Sequence, residues 1–366
     1  MMVFRLSEEL LRRGHEVIPV GPRHGIGWLG NAFRTIGVNV ETYWLRRPLD
    51  PGCVRRLTGL LRANRIDVVH SHDFTMAVYG TAASRLRGVP HVITMHGGVN
   101  VCAVLRRRVA LRWAMRNSSR TVMVSNATAR QFAAELGMSQ SRFAVIPNGV
   151  PVKTGRTDRV RQEFDCGEDT TVILAVGNLE AHKGHRVLLE ALNLLRHREL
   201  PVSWKLIIAG GRGGPEHQPL LQFLHEHEMA HHVHIATGRD DIPDLQALAD
   251  IYAMPSLIEG LQMALLEAMV ASRAIVASIT AGIPEAIVDE REGLLVPPGN
   301  ANALADALQR LLMDPSLRER LGAAAGARGR EEFTVQVMAD HYEALYQELA
   351  GYRQRDADAS HTVGVN

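Results

Sequence analysis

Apolar residues recur along this chain in two alternating patterns. Val3, Leu6, Leu10 and Leu11 fall on one side of a helix over residues 1–13, and Gly14 stops it. A strand over 15–20 follows. Further strands are predicted near 38–43, 66–71, 91–95, 120–124 and 142–146, with helices near 52–64, 74–86, 101–117 and 126–136. Two prolines and an Asn-Gly turn within 145–152 close this alternation, and the polar stretch 153–170 reads as a linker with a short helix. A second alternation then begins. Its strands are predicted near 171–176, 203–209, 232–236, 250–254, 274–278 and 293–296, and its helices near 184–197, 216–228, 261–271, 301–312 and 315–328. Residues 334–350 form one more amphipathic helix, with Val337, Met338, His341, Tyr342, Leu345 and Tyr346 on its apolar side. The polar residues 351–366 are expected to be disordered.

Strands separated by helices predict parallel, doubly wound sheets. The expected fold class is therefore α/β, in two similar domains. The first spans 1–152 and is completed by helix 334–350; the second spans 153–333. The chain opens on a helix, whereas the first strand of a doubly wound domain is normally central and its loop lies at the ligand crevice. That strand and loop are expected to be missing from the first domain, which leaves sheet edges open.

Composition adds limits. The 366 residues are 46% hydrophobic and 22% charged, as in soluble globular proteins, and suffice for two cores. Cys53, Cys102 and Cys166 are few and scattered, which suits a reducing cytoplasm and no structural zinc. No apolar run approaches the roughly 18 residues of a membrane span, and the N-terminus lacks a signal-peptide pattern. The net charge of +2 hides an asymmetry: residues 1–150 hold 21 Arg, no Lys and 8 acidic groups, a formal +13, and the remainder is a formal −11. The basic half should favour an anionic surface or acceptor, and no nucleic-acid partner is expected.

The chemistry centres on Glu259 and Glu267, which stand eight positions apart around an uncharged, mostly apolar segment. A strand, a loop and a helix are predicted there, so the free N–H groups of the helix start open on a crevice and favour an anion. Two acceptor-only carboxylates beside an anion site suit a ligand with both phosphate and hydroxyls, such as a nucleotide sugar. A solvated Glu on an amphipathic helix is the plainer alternative.

Gly177 follows a strand and allows close approach, and Lys183 near the next helix start can reach a phosphate oxygen. Gly210, Gly211, Gly213 and Gly214 around Arg212 form a second glycine loop, either a ligand contact or a turn. His72 and His96 end adjacent predicted strands, on the edge where such sheets bind ligands. The Gly-x-Gly-x-x-Gly at 25–30 lacks the strand before it and the acid after it that a dinucleotide site needs. Asp356 and Asp358 lie in the polar tail and read as solvated, so no metal is expected. Arg108, Arg112 and Arg116 recur every four residues beside Leu105, Val109 and Trp113. This is either a helix lying on an anionic membrane or a packed helix with a solvated Arg face.

Together these stretches resemble glycosyltransferase family 4, the retaining transferases of the GT-B fold, over almost the whole chain. Glu259 and Glu267 fall on the family's Glu-x7-Glu motif. The segments 13–17, 148–149, 294–300 and 311–315 also look familial. The resemblance implies two doubly wound Rossmann-like domains facing across a cleft that closes over its ligands. The second would bind the nucleotide-sugar donor, and the first a glycan or lipid-linked acceptor. Glu267 would hold the ribose, Glu259 the donor sugar and Lys183 the diphosphate. Gly177, Asn178, Gly210, Gly211, Arg239 and the backbone of Gly260, Leu261, Gln262 and Met263 would line the donor site. His96 would approach the donor sugar, with His72 on the acceptor side. No metal or other cofactor is implied. The location expected from the sequence is cytoplasmic, and the membrane alternative for the Arg108–Arg116 helix would add peripheral attachment to the inner face of the membrane. The chain departs from the family at Asn178, where an Arg is usual, and at Ser272, Ala274 and Ala281, which stand for Gly, Pro and Gly. A nucleotide-sugar-binding protein without turnover and a nucleotide-sugar epimerase are the alternatives; a dinucleotide oxidoreductase is a distant one.

Overall fold

The structure, a computed structural model, describes residues 1–24, 27–97, 102–198, 200–211 and 213–362, with 352–362 described by backbone alone. The chain divides into two compact units. Unit 1 is Met1–Gly149 with the chain from Val335 onward, and unit 2 is Val150–Thr334.

Unit 1 begins α1 (Met2–Arg12), β1 (Val20–Pro22), α2 (Gly27–Thr35), β2 (Glu41–Tyr43) and α3 (Pro51–Ala63). It continues β3 (Val69–His72), α4 (Asp73–Arg87), β4 (His91–Met95), α5 (Leu105–Asn117), β5 (Arg120–Met123), α6 (Asn126–Leu136) and β6 (Phe143–Val145). β1 and β2 form a parallel pair, and β3-β4-β5-β6 form a separate parallel sheet in sequence order. Local chemistry sets the helix starts. Asp50 accepts from the Cys53 N–H at 3.2 Å ahead of Pro51, and Ser125 accepts from the Thr128 N–H at 3.1 Å. Ile93, Met95, Leu111, Met115, Met123, Phe132 and Leu136 make the core of the four-stranded sheet.

Unit 2 runs α7 (Thr157–Glu163), β7 (Thr171–Val176), α8 (His185–Arg196), β8 (Trp204–Gly210), α9 (His217–Glu226), β9 (Val233–Thr237) and α10 (Ile242–Leu248). Then come β10 (Ile251–Met254), α11 (Met263–Val270), β11 (Ala274–Ser278), α12 (Ile283–Ala286), β12 (Leu294–Val296), α13 (Ala301–Met313) and α14 (Pro315–Glu332). Its six parallel strands are ordered β12-β11-β10-β7-β8-β9. Alternate side chains of β7 feed two cores. Ile173 and Ala175 join Leu188, Leu192 and Leu308 on one face, and Val172 and Leu174 join Leu265, Leu266 and Met269 on the other. The chain then returns to unit 1 as α15 (Val335–Thr362), which packs on α1.

Several expectations shift. The strand foreseen over 15–20 pairs only over Val20–Pro22, where β2 offers a neighbour; Pro19 has no N–H for a ladder. Helices α2, α10 and α12 were not foreseen, being short or glycine- and proline-bearing. The segment from 351 onward, expected to be disordered, has a helical backbone through Thr362 because it extends α15; residues 363–366 and the side chains of Asp356 and Asp358 lie outside the described residues. Gly25 also lies outside them, and Gly30 sits buried within α2.

Two glycines are dictated by backbone packing. A Cβ on Gly210 would lie 1.8 Å from the Gly177 carbonyl oxygen, so the loops after β7 and β8 touch backbone to backbone. A Cβ on Gly184, whose φ is +68°, would lie 2.0 Å from the Pro255 carbonyl oxygen. Gly210→Ala should therefore destabilise unit 2 by about 1–3 kcal/mol, read as a lower urea midpoint; an unchanged midpoint would show that the loops part freely.

Glu9, 5% exposed on α1, receives Arg12 at 2.6 Å and Arg13 at 2.9 Å, and Arg13 also reaches Asp340 at 2.6 Å and Glu343 at 2.8 Å on α15. The hydrogen bond from Arg12, and then that from Arg13, hold Glu9 down at about 2, from an ordinary 4.5. A depressed folded-state pKa stabilises above the unfolded value, and that gain fades as pH falls from about 4.5 towards 2. Thermal melts should show Glu9→Gln less stable at neutral pH and less sensitive to acid across this window. Parallel pH curves for the two proteins would contradict this.

Candidate active site

In unit 2 the sheet order reverses at β7 and β10. The chain leaves β7 towards β8 and β9, and later returns to add β10, β11 and β12 on the other side. A crevice opens beyond the carboxyl ends of the strands at such a switch point, because the two loops leave in opposite directions. The loop after β7 carries Gly177, Asn178 and Lys183; the loop after β10 carries Glu259, Gly260, Leu261 and Gln262.

These loops are fastened together. The Leu257 N–H donates to the His182 carbonyl at 2.8 Å, and Gln262 Nε2 donates to the Val176 carbonyl at 3.2 Å. Lys183 Nζ donates to Glu259 Oε2 in a direct ion pair, with the side chains only 14% and 18% exposed. Gln262 is the N-cap residue of α11 and makes no side-chain cap bond, so the first N–H groups of the helix keep their partial positive charge. Met263 opens the helix, and Glu267 lies one turn further on, half-buried. Helix α11 thus starts two residues later than foreseen, which leaves Leu261 buried in the loop.

The structure brings Lys183 and Glu259 together and places Gly177 beside the Lys183 stem, where a Cβ on Gly177 would lie 3.4 Å from Lys183 Cδ. Asn178 is exposed, and its Oδ1 stands 2.4 Å from where a Gly211 Cβ would be. Gly210 and Gly211 therefore serve the contact between the two loops. Arg239 is held elsewhere: it donates to Glu163 and Asp241 and lies over the Phe164 ring. Arg212 lies outside the described residues.

Two further residues join this site that the sequence reading did not single out. His185, the residue after Gly184, is 4% exposed with its ring against the backbone of Asn178 and Gly177; burial lowers its pKa to about 4, and that backbone opposes the shift. Its adjacency to Lys183 was the available signal. Tyr252 in β10 is fully buried with an unpartnered hydroxyl, and burial, then the charges of Glu267 and Glu259, raise its pKa well above the ordinary value. An apolar strand gave no hint of it.

In unit 1, β3 and β4 pair His72 with Thr94, which sets His72 and His96 side by side. His72 Nδ1 and His96 Nε2 are 3.1 Å apart, with rings stacked at 5.3 Å. His72 in turn lies 4.1 Å from the His70 ring, and His70 bonds Thr94 Oγ1 at 2.7 Å and the Tyr346 hydroxyl at 2.5 Å. Tyr342 reaches Thr94 at 2.9 Å. Desolvation lowers His70 to about 3 and His96 to about 4, and lowers His72 well below its usual range. For His96 the Met1 amino group adds to this and Asn148 opposes it. The group is uncharged at neutral pH, so it can pass or share a proton without attracting a phosphate.

In unit 1, Leu105, Val109 and Trp113 of α5 are 63%, 60% and 41% exposed. Arg108 and Arg116 are exposed with them, whereas Arg112 leans over Gly137. A shallow groove of about 300 Å³ runs beside them, lined by Leu105, Arg108, Val109, Arg112, Glu135, Leu136 and Gly137. Among the described residues no helix is long and apolar enough to cross a membrane, and no group of three His, Cys, Asp or Glu could hold a metal ion.

Comparison with known proteins accounts for both units. Residues 1–154 match Glycosyltransferase Family 4, and residues 157–328 match Glycosyl transferases group 1. The chain is 28% identical over 309 residues to a D-inositol 3-phosphate glycosyltransferase of Pseudarthrobacter chlorophenolicus, covering 79% of this chain and 73% of that protein. It is 30% identical over 315 residues to a GDP-mannose-dependent alpha-(1-6)-phosphatidylinositol monomannoside mannosyltransferase of Mycobacterium tuberculosis, covering 79% and 78%. The fold matches a glycosyltransferase from Rickettsia africae at TM-score 0.83 and 19% identity, over 95% of this chain and 94% of that one. Anabaena Alr3699/HepE in complex with UDP matches at 0.82 and 20%, over 95% of both. With both units matched in chain order and nearly a third of residues shared across most of a relative, the chain belongs to glycosyltransferase family 4 and has the GT-B fold.

Proposed function

We propose that this chain is a retaining, metal-independent hexosyltransferase that moves a sugar from a nucleotide-sugar donor to a glycan or lipid-linked acceptor. The observation that carries the reading is the Lys183–Glu259 pair at the β7/β10 switch point, beside the uncapped start of α11. In this reading Lys183 and the α11 N–H groups bind the diphosphate, Glu267 the ribose and Glu259 the sugar hydroxyls. The bond from the anomeric carbon to the phosphate oxygen breaks, and its electron pair stays on the diphosphate. The acceptor hydroxyl adds from the same face and gives its proton to the departing oxygen. Lys183 and the helix start then stabilise the charge that develops. His96, neutral, serves the reacting face, and His72 orients it on the acceptor side. One departure favours a second reading, binding without turnover: Asn178 stands where a cation is usual.

The test is transfer from a panel of UDP-, GDP- and ADP-sugars. Its acceptors include inositol phosphates and phosphatidylinositol mannosides, the chemistry named for the relatives. Transfer from one donor is expected, and Lys183→Ala should lower kcat roughly 100- to 1,000-fold, as for loss of one transition-state donor. Binding of a donor with no transfer to any acceptor would support the second reading instead.

We also place the α5 face against an anionic membrane, as suits a lipid-linked acceptor. Leu105, Val109 and Trp113 offer apolar area, and Arg108 and Arg116 charge. The chain should co-sediment with vesicles that contain phosphatidylglycerol, and lose roughly 30-fold in affinity on Arg108→Ala with Arg116→Ala. Equal binding to purely zwitterionic vesicles would count against this.

A further inference from the structure

The Lys183–Glu259 pair bears on which ligand the site favours, an inference that rests on the donor reading above. Both side chains are largely shielded, at 14% and 18% exposure. Their loops are tied by the bond from Leu257 N–H to the His182 carbonyl and by the close contact of Gly184 with Pro255. The pair is therefore a built feature of the crevice. Lys183 already has an anion, so an arriving diphosphate meets a neutralised cation. Two anions crowded on one ammonium in a shielded site repel each other, so the carboxylate must move off or share. A displaced carboxylate needs replacement donors, because it can only accept hydrogen bonds. Sugar hydroxyls supply them; a bare nucleoside diphosphate has none at that end.

We infer that Glu259 is a specificity-determining residue that makes the site favour the intact nucleotide sugar over the nucleoside diphosphate, by competing with the diphosphate for Lys183. With the sugar attached, Glu259 leaves Lys183 for the sugar hydroxyls and the diphosphate gains the ammonium. After transfer the sugar is gone, Glu259 returns to Lys183, and the diphosphate product loses its cation. The contact that grips the donor also loosens the product.

Titration calorimetry with UDP, GDP and ADP, and with the matching nucleotide sugars, tests this on the full chain. Glu259→Gln keeps the shape and removes the charge. It should bind the preferred nucleoside diphosphate on the order of tenfold more tightly than the native chain, at the low end of coupling for close charge pairs, while gaining nothing for the nucleotide sugar. Glu259→Asp, which keeps the charge on a shorter stem, should shift binding in the same direction by less. In a Lys183→Ala background the gain from Glu259→Gln should vanish. Native binding that Glu259→Gln leaves unchanged or weakens would overturn the inference and leave the donor reading standing. A gain that persists without Lys183 would also overturn it, since general charge removal would then be the cause. If the native chain bound no nucleotide or nucleotide sugar, the donor reading would fail and this inference with it.

Discussion

The organisation of unit 2 follows from one constraint: β7 and β10 are neighbours in a parallel sheet although they stand far apart in sequence. Parallel strands send their following loops to the same edge of the sheet, and a reversal of order makes two of those loops diverge. Lys183 and Glu259 sit on those two loops, so their meeting is a product of strand order. The glycines confirm how tightly the edge is drawn. Gly184 lies against Pro255, and Gly210 against Gly177, with no room for a methyl group at either place. A polar site can be held this firmly because backbone, rather than mobile side chains, sets the spacing.

The two units solve opposite electrostatic problems. Unit 2 holds charged groups in a crevice and balances them there through the Lys183–Glu259 pair, while Arg239 is neutralised away from that pair by Glu163 and Asp241. Unit 1 carries the chain's excess of arginine, yet its histidine group is neutral. His70, His72 and His96 stack ring on ring, with His96 at the exposed end, and the partners of His70 are Thr94 and Tyr346, neither of them charged at neutral pH. The arginines of α5 lie elsewhere on the unit, on an exposed helix. Basic composition and site chemistry are thus separate properties of the same domain.

What could be read from the sequence divides along physical lines. Strongly periodic elements such as β7, α8 and α13 lie close to where periodicity puts them, because a core on one face imposes that spacing. Strand 15–20 was less legible, since a ladder needs a neighbour that pattern alone does not reveal. Glu259, Glu267 and Lys183 could be picked out because charge interrupts glycine-rich or apolar runs there. The pairing of Lys183 with Glu259 could not, because strand order is a tertiary fact. Gly210 and Gly211 were singled out for close approach, which is what they provide, but the approaching groups belong to the same unit: the Gly177 backbone at Gly210 and the Asn178 side chain at Gly211. His185 and Tyr252 stayed hidden among residues that otherwise read as core.

Asn178 sharpens the account of charge at this crevice. A second cation there would let the diphosphate bind without disturbing Lys183. Asn178 instead offers an uncharged amide, exposed and turned towards Gly211. Among the described residues the loop after β7 then brings Lys183 to the pair as its one strong positive charge, and Glu259 neutralises it. The remaining positive potential comes from the uncapped N–H groups of α11, worth roughly half an elementary charge. Charge on a helix end is fixed in place and cannot be drawn off by Glu259. In the donor reading proposed above, the phosphates would meet a permanent but modest attraction from α11 and a conditional one from Lys183, and occupancy of the sugar position would decide whether the conditional one is available.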